Sequence, residues 1–275
     1  MEYVEQNLYY HNDKEQSTDN LHPFEQLTEK NVYEVIRVKE GIPLFLEDHL
    51  RRFRTSALYV GNPLTDSDNT LISRLYQLIN KNSPFDQNIK LIWNKDIGLL
   101  AFFTKSFYPP TSYYQSGIKT TLLNLEREDP NIKLQREEYQ KTVLAKREKT
   151  GAYEVLLVDQ EDNLTEGSRS NLFIVKGDKL YTSPAKNVLL GIVRSKVVDI
   201  CRQQQIDIIE QKIPVSELNT IDGAFISGTG NDILPIASIN NIALESIKNP
   251  IILTIMREYY RLVNQYIVSK KGLKR

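Results

Sequence analysis

The chain has 275 residues, enough for one large core or two ordinary ones, and its 35 basic and 35 acidic side chains cancel, so no global field favours nucleic acid or an anionic membrane. One cysteine, Cys201, allows no internal disulfide and no cysteine zinc site, which suits a reducing cytosol; a buried, inert thiol is expected. The three histidines, His11, His22 and His49, share no metal-ligand spacing, and no metal centre is expected.

Met1–Asn20 is acidic, polar and dotted with tyrosines, without the basic start and apolar core of a secretory signal. No apolar run approaches bilayer length, and neither a Gly-rich phosphate loop nor a G-x-S-x-G elbow is present. Val32–Val38 reads as a strand, Gly41-Ile42-Pro43 as a turn and Leu44–Leu46 as a second strand. A helix capped by Asp48 follows to Val60, stopped by Gly61-Asn62-Pro63, and Asp66–Asn80 reads as another. Strands near Ile89–Trp93 and Leu99–Thr104 complete a small α+β unit.

Tyr108-Pro109-Pro110-Thr111-Ser112 interrupts all periodicity and marks a domain linker. Beyond it come a strand Lys119–Leu123, a charged helix Glu137–Thr150, strands Val155–Val158 and Leu172–Val175, and a helix near Val193–Gln204. A strand at Ile206–Glu210, an apolar segment Gly223–Ile226, a hairpin and a helix Ile252–Val268 close the pattern; Lys270–Arg275 is basic and expected to fray.

Two polar stretches stand between these elements. D-N-L-T-E-G-S-R-S-N-L-F, Asp162–Phe173, places Glu166 in or beside a hairpin connection, in letters that ordinary turn chemistry also uses. S-G-T-G-N-D, Ser227–Asp232, reads alone as a turn. Of Lys133, Lys141, Lys146 and Lys149, the last three fall on a solvated helix face.

Six segments in order carry a resemblance: V-Y-E-V-I-R-V (Val32–Val38), E-D-H-L-R-R-F-R-T-S-A (Glu47–Ala57), I-K (Ile132-Lys133), Y-E-V-L-L-V-D-Q-E-D-N-L-T-E-G-S-R-S-N-L-F (Tyr153–Phe173), L-Y-T-S-P (Leu180–Pro184) and L-L-G-I-V-R (Leu189–Arg194). Together they resemble the class IV, fold type IV aminotransferases, which depend on pyridoxal 5'-phosphate and include branched-chain and D-amino acid aminotransferases and aminodeoxychorismate lyases. The resemblance implies a two-domain α+β or α/β chain. Residues 1–110 would form the smaller α/β domain, and residues 111–275 a larger one with a barrel-like β core carrying the Schiff-base lysine.

It also implies site roles. Glu166 matches the glutamate of T-E-G-x-x-S-N that pairs with the pyridine nitrogen, and Ser168, Ser170 and Asn171 would turn it inward. Lys133 matches the family lysine, which follows a hydrophobic residue on a strand a little over thirty residues before the glutamate; such a lysine bonds the cofactor and shuttles the Cα proton. Arg52, three after His49, matches the phosphate arginine, while Arg51 and Arg54 would face solvent. Ile192 and Val193 amides at a helix start, with Thr229, would complete the phosphate cradle; Val193 replaces the commoner threonine. The Thr229 and Gly230 amides would face the substrate carboxylate, and Tyr139 stands one position later than the tyrosine that bonds the phenolic oxygen.

For substrate, Tyr33-Glu34-Val35 resembles the D-amino acid enzymes, yet their R-x-H carboxylate trap is missing from S-F-Y-P-P-T-S-Y-Y, and Gln135-Arg136 only partly matches the lyase pair. Transamination of a branched-chain-like amino acid with a 2-oxo acid is the expectation, with the lyase, the D-amino acid enzyme or a non-catalytic relative as alternatives. The family further implies a cytoplasmic homodimer in which Tyr108–Tyr114 reach the neighbour's substrate.

Overall fold

The computed structural model describes residues 4–27, 31–84 and 86–272; the last of the basic carboxyl-terminal residues, 273–275, lie outside the described residues, as do the first three of the amino-terminal segment. The chain forms two compact units. One runs to Phe107 and takes in Ile132–Arg136 and the chain from Val263; the other holds Tyr108–Asn131 and Glu137–Leu262. The division at Phe107 falls where Pro109-Pro110 removes two backbone donors. Lys133, however, groups with the first unit rather than with the larger carboxyl-terminal one expected to carry it.

In the first unit, β1 (Val4–His11), β2 (Lys14–Ser17), α1 (His22–Glu25), β3 (Val32–Lys39), β4 (Ile42–Pro43), α2 (Leu46–Tyr59), α3 (Asp68–Asn82), β5 (Asp86–Asn94) and β6 (Gly98–Thr104) follow in order. The strands form one sheet in the order β2-β1-β6-β5-β3-β4. Leu46, Leu50, Phe53 and Ala57 recur along α2 at helical spacing and, with Leu71, Leu75 and Leu78 of α3, pack on Val32, Ile36, Val38, Ile89 and Leu91 of the sheet. Each of these side chains larger than alanine contributes about 1.5–3 kcal/mol on burial. Tyr9, Phe24, Ile92, Leu100 and Phe102 form a second cluster.

Two expectations fail at the entry to α2. The strand placed at Leu44–Leu46 is replaced by the two-residue β4, and Asp48 is not the cap. Phe45 is the N-cap, left-handed at φ 51°. Its ring packs 5.0 Å from that of Tyr266, whose hydroxyl accepts from Leu46 N–H at 3.2 Å. A distant tyrosine thus satisfies an amide that a local side chain would ordinarily take, and Asp48 pairs with Arg51 instead, at 2.9 Å.

The second unit contains α4 (Thr111–Ser116), β7 (Ile118–Asn124), α5 (Glu137–Thr150), β8 (Glu154–Val158), β9 (Asn163–Gly167), β10 (Asn171–Lys176), β11 (Lys179–Thr182), α6 (Ile192–Gln203), β12 (Ile208–Glu210), β13 (Ile213–Pro214), β14 (Gly223–Gly228), β15 (Asp232–Ile239), β16 (Ile242–Ala243) and most of α7 (Pro250–Gly272). Its strands curl as a half-barrel in the order β12-β11-β10-β14-β15-β7-β8-β9-β13, with β16 beside β15. β8, β9 and β10 are buried on both faces; β8 and β10 accordingly carry the apolar runs Val155–Val158 and Leu172–Val175, whereas β9, N-L-T-E-G, buries polar residues. α4 begins within the segment expected to be linker alone; Pro110 is its N-cap, a place where the missing N–H costs nothing. Cys201 is buried, and burial pushes its thiol up to about 12.

Candidate active site

In the first unit the site begins with strand alternation. Val32, Glu34, Ile36 and Val38 share the buried side of β3, which puts a carboxylate, fully buried, among aliphatic neighbours. α2 answers with a polar stripe at helical spacing: His49, Arg52 and Ser56. Arg52 grips Glu34 in a fork, Nε to Oε1 at 2.6 Å and Nη2 to Oε2 at 2.7 Å, and His49 Nδ1–H donates to Oε2 at 2.9 Å. Burial alone would raise Glu34, but the Arg52 guanidinium and the His49 donor hold it far below the usual carboxylate range. Burial pushes His49 down, and Glu34 restores only part of that.

Lys133 stands in an extended segment, not on a named strand. Its carbonyl accepts from Tyr33 N–H at 3.1 Å, its own N–H reaches Ser56 Oγ at 3.5 Å, and Leu134 forms a bridge with Val32. Its ammonium lies 5.0 Å from the centre of the Tyr33 ring, and that of Lys90 lies 5.1 Å from the same centre. Arg51 is exposed as expected; Arg54 is partly exposed, and it pairs with Asp68 at 2.6 Å and donates to the Leu64 and Asp66 carbonyls.

Acid should unfold this unit in two stages. His49 is held neutral in the fold but takes a proton in the unfolded chain below its ordinary value of 6.5, so stability falls as the pH drops through that value. Glu34 adds stability fully present above roughly 4.3, the unfolded carboxyl value, and lost as the pH falls further toward its depressed folded value. The urea midpoint, followed by fluorescence of Trp93 in β5, should decline from pH 7 to 5 and more steeply below. His49→Gln should flatten the upper decline.

In the second unit Glu166 lies within β9 itself. Its Oε2 accepts from Leu189 N–H at 3.1 Å and Asn171 Nδ2 at 3.4 Å, and its Oε1 is 3.2 Å from Arg127 Nε. Asn171 also donates to the Leu189 carbonyl at 2.7 Å, and a Cβ on Gly191 would fall 2.1 Å from Asn171 Oδ1, so only glycine fits before α6. The first α6 residues, Ile192 and Val193, follow a cap with no side-chain acceptor, a helix start of the kind that favours an anion.

Tyr139, on α5, donates its hydroxyl to the Ser168 carbonyl at 2.7 Å and accepts from Arg127 Nη2 at 3.2 Å; burial, opposed by Arg127, pushes the phenol up to about 12. Ser168 and Ser170, expected to turn Glu166 inward, make no direct side-chain bond to it. Their hydroxyls donate to the buried Glu154 at 2.5 and 3.0 Å, because the turn aims them back across β8; Asn171 alone of the three reaches Glu166.

Thr229 and Gly230 occupy the turn between β14 and β15. Asn231 anchors it: its carbonyl accepts from the Tyr114 hydroxyl at 3.1 Å and its Oδ1 from that of Tyr153 at 2.8 Å. Ser227 Oγ, just before this turn, is buried without a hydrogen-bond partner among the described residues. Other motif residues serve packing: Arg194 pairs with Glu210 at 2.8 Å and Ser183 donates to the Leu164 carbonyl at 2.9 Å. Among the described residues no group of His, Cys, Asp and Glu could hold a metal, and no helix is long and apolar enough to cross a membrane.

A model of the family described as amino-transferase class IV matches residues 31–239. The chain is 28% identical over 229 residues to the D-alanine aminotransferase of Bacillus licheniformis, covering 78% of this chain and 81% of that one. It is 27% identical over 173 residues to the branched-chain-amino-acid aminotransferase of Pseudomonas aeruginosa, covering 60% of this chain and 56% of that one. Its fold is similar to that of the branched-chain aminotransferase of Thermoproteus uzoniensis solved with norvaline, at a TM-score of 0.82 and 21% identity over 94% of this chain and 95% of that one. With a buried carboxylate pinned in T-E-G and a helix start opened by Gly191, the chain belongs to the class IV aminotransferases, a family of pyridoxal-phosphate-dependent enzymes.

Proposed function

We propose that this chain transfers an amino group between a branched-chain-like amino acid and a 2-oxo acid, with Lys133, Arg52, Glu166, Asn171, Tyr139, Ile192, Val193 and Thr229 serving one pyridoxal phosphate. The observation that carries this reading is Glu166, a carboxylate held in place by Arg127, Asn171 and the Leu189 amide. The donor set fits the group: a fixed anion for a protonated pyridine nitrogen, an uncapped helix start for a phosphate, and the buried hydroxyl of Ser227 close by in sequence to Thr229. When bound, pyridoxal phosphate supplies a ring that accepts the electron pair left as the substrate's Cα loses its proton.

The protein's part is positional. Glu166 keeps the proton on the pyridine nitrogen, and Lys133 supplies the amine that anchors the cofactor and moves the Cα proton. Tyr139, whose hydroxyl donates to the Ser168 carbonyl and accepts from Arg127, serves the site by holding Arg127 beside Glu166. Arg52, Thr229 and the Ile192 and Val193 amides hold the phosphate. Tyr33 and the Gly230 amide face the substrate. The chain works as a cytoplasmic homodimer on this reading, and Leu58 and Tyr59 at the end of α2, 67% and 66% exposed, suit a surface covered by a second copy.

A second reading, transamination of a D-amino acid, draws on the 28% identity to the D-alanine enzyme and on Tyr33-Glu34-Val35. One assay separates the two. Purified protein with pyridoxal phosphate and a 2-oxo acid acceptor is offered L-leucine, L-valine, D-alanine and, for lyase chemistry, aminodeoxychorismate. Turnover of the L-amino acids supports the proposal, turnover of D-alanine alone supports the second reading, and pyruvate with 4-aminobenzoate from aminodeoxychorismate overturns both.

Arg52→Ala should weaken cofactor affinity, since it deletes a charge-assisted phosphate contact worth roughly 1.5–3 kcal/mol. It should also destabilise the protein by about 3–5 kcal/mol, because it strips the buried Glu34 of its fork. Titration with pyridoxal phosphate and urea unfolding read the two separately; unchanged affinity would assign the phosphate to other groups.

A further inference from the structure

Glu154 opens β8 fully buried, one residue after Tyr153. Its Oε1 accepts from Ser168 Oγ at 2.5 Å and from Val155 N–H at 2.9 Å, its Oε2 accepts from Ser170 Oγ at 3.0 Å, and Arg169 Nε lies 3.8 Å away. A carboxylate taken out of water is retained only where several donors meet it. Here the two hydroxyl donors and Arg169 all belong to the turn that follows Glu166.

That turn leads to the site by one atom. Ser168 is held at its N–H by the Val155 carbonyl at 2.8 Å and at its hydroxyl by Glu154. Its carbonyl then takes both the Tyr139 hydroxyl at 2.7 Å and Arg127 Nη2 at 2.9 Å. Arg127 in turn sets its Nε 3.2 Å from Glu166 Oε1. Gly167 leaves the turn no slack, since a Cβ there would fall 2.1 Å from Ser170 Oγ.

We propose that Glu154 is a positioning residue for Glu166, acting through the Ser168 carbonyl and the Arg127 and Tyr139 groups that share it. The proposal rests on the reading of Glu166 as the pyridine partner. Tyr153, just before β8, and Glu154, its first residue, then brace two different turns: Tyr153 the Thr229-Gly230 turn through Asn231, and Glu154 the Gly167–Ser170 turn.

The test is a double-mutant cycle between Ser168→Ala and Glu166→Gln, reading kcat, KM, melting temperature and the affinity of cofactor-free protein for pyridoxal phosphate. Ser168→Ala alone should lower kcat roughly tenfold and weaken cofactor affinity several-fold, with KM within about twofold, and Ser168→Thr should restore both. In the Glu166→Gln background the same change should cost less than about twofold, because the group it positions is already gone. Glu154→Gln should follow Ser168→Ala; if it does not fold, the serine variants decide alone. The full tenfold loss recurring in the Glu166→Gln background, or Ser168→Ala matching the parent in rate and affinity, would overturn the proposal while leaving Glu166 in its role. A Glu166→Gln protein equal to the parent in both would overturn the pyridine reading and the proposal together.

Discussion

Lys133→Ala is expected to abolish transamination and the visible absorbance that borohydride bleaches, while the protein melts within a few degrees of the parent. The change removes the covalent anchor and the group that moves the Cα proton; the second role alone is worth roughly 10²–10⁴ in rate. The fold should be spared, because what ties this segment to its neighbours is backbone: the Lys133 carbonyl to Tyr33 N–H, and its own N–H to Ser56 Oγ. If the variant stayed yellow and reducible, Lys90, whose ammonium shares the Tyr33 ring, would be the first lysine to replace.

Glu166→Gln should leave cofactor content near normal and lower kcat roughly a hundredfold or more, since each 1.4 kcal/mol of barrier is tenfold in rate. The amide oxygen can still accept from the Leu189 N–H, now 3.1 Å from Oε2, so the side chain keeps its place. What it loses is charge. Arg127, 3.2 Å away, would then face a neutral group, and nothing in the cluster would favour the protonated pyridine nitrogen. Turnover near the parent rate with full cofactor content would remove Glu166 from the electronic role and leave it a strand residue.

Much of the scaffold is written in the sequence because its helices and buried strands are locally periodic. The charged helix Glu137–Thr150 has the expected bounds, and β6 needs only Gly98 added to the expected Leu99–Thr104. The entry to α2 was not legible, since its left-handed Phe45 depends on Tyr266, far along the chain. Neither was the hairpin of β1 and β2, whose half-exposed, polar strands lack a clear alternation.

The site was legible where a motif names a residue and obscure where residues act on one another. Glu34 did leave a signal: it is the one charge on the side of β3 that holds Val32, Ile36 and Val38, and a charge in that row must be paired. Glu154, heading a wholly apolar run, left the same kind of mark. Arg127 left none, because a basic residue in E-R-E-D looks like solvated loop, and only the fold brings it to Tyr139 and Glu166. Ser168 and Ser170 show the limit of spacing: it places a hydroxyl in a turn but not the direction in which it points.

The Tyr266 contact also sets an order of events during synthesis. The helix that carries His49 and Arg52 starts at a residue whose amide is satisfied by that hydroxyl, which in turn donates to Glu47 at 2.8 Å. The first unit also needs Ile132–Arg136 for its bridge to β3. A nascent chain that has released only its first hundred or so residues therefore lacks two of the pieces that finish its amino-terminal unit. Its contacts span up to 231 residues of sequence, so the unit that is begun first is completed only once α7 has been made.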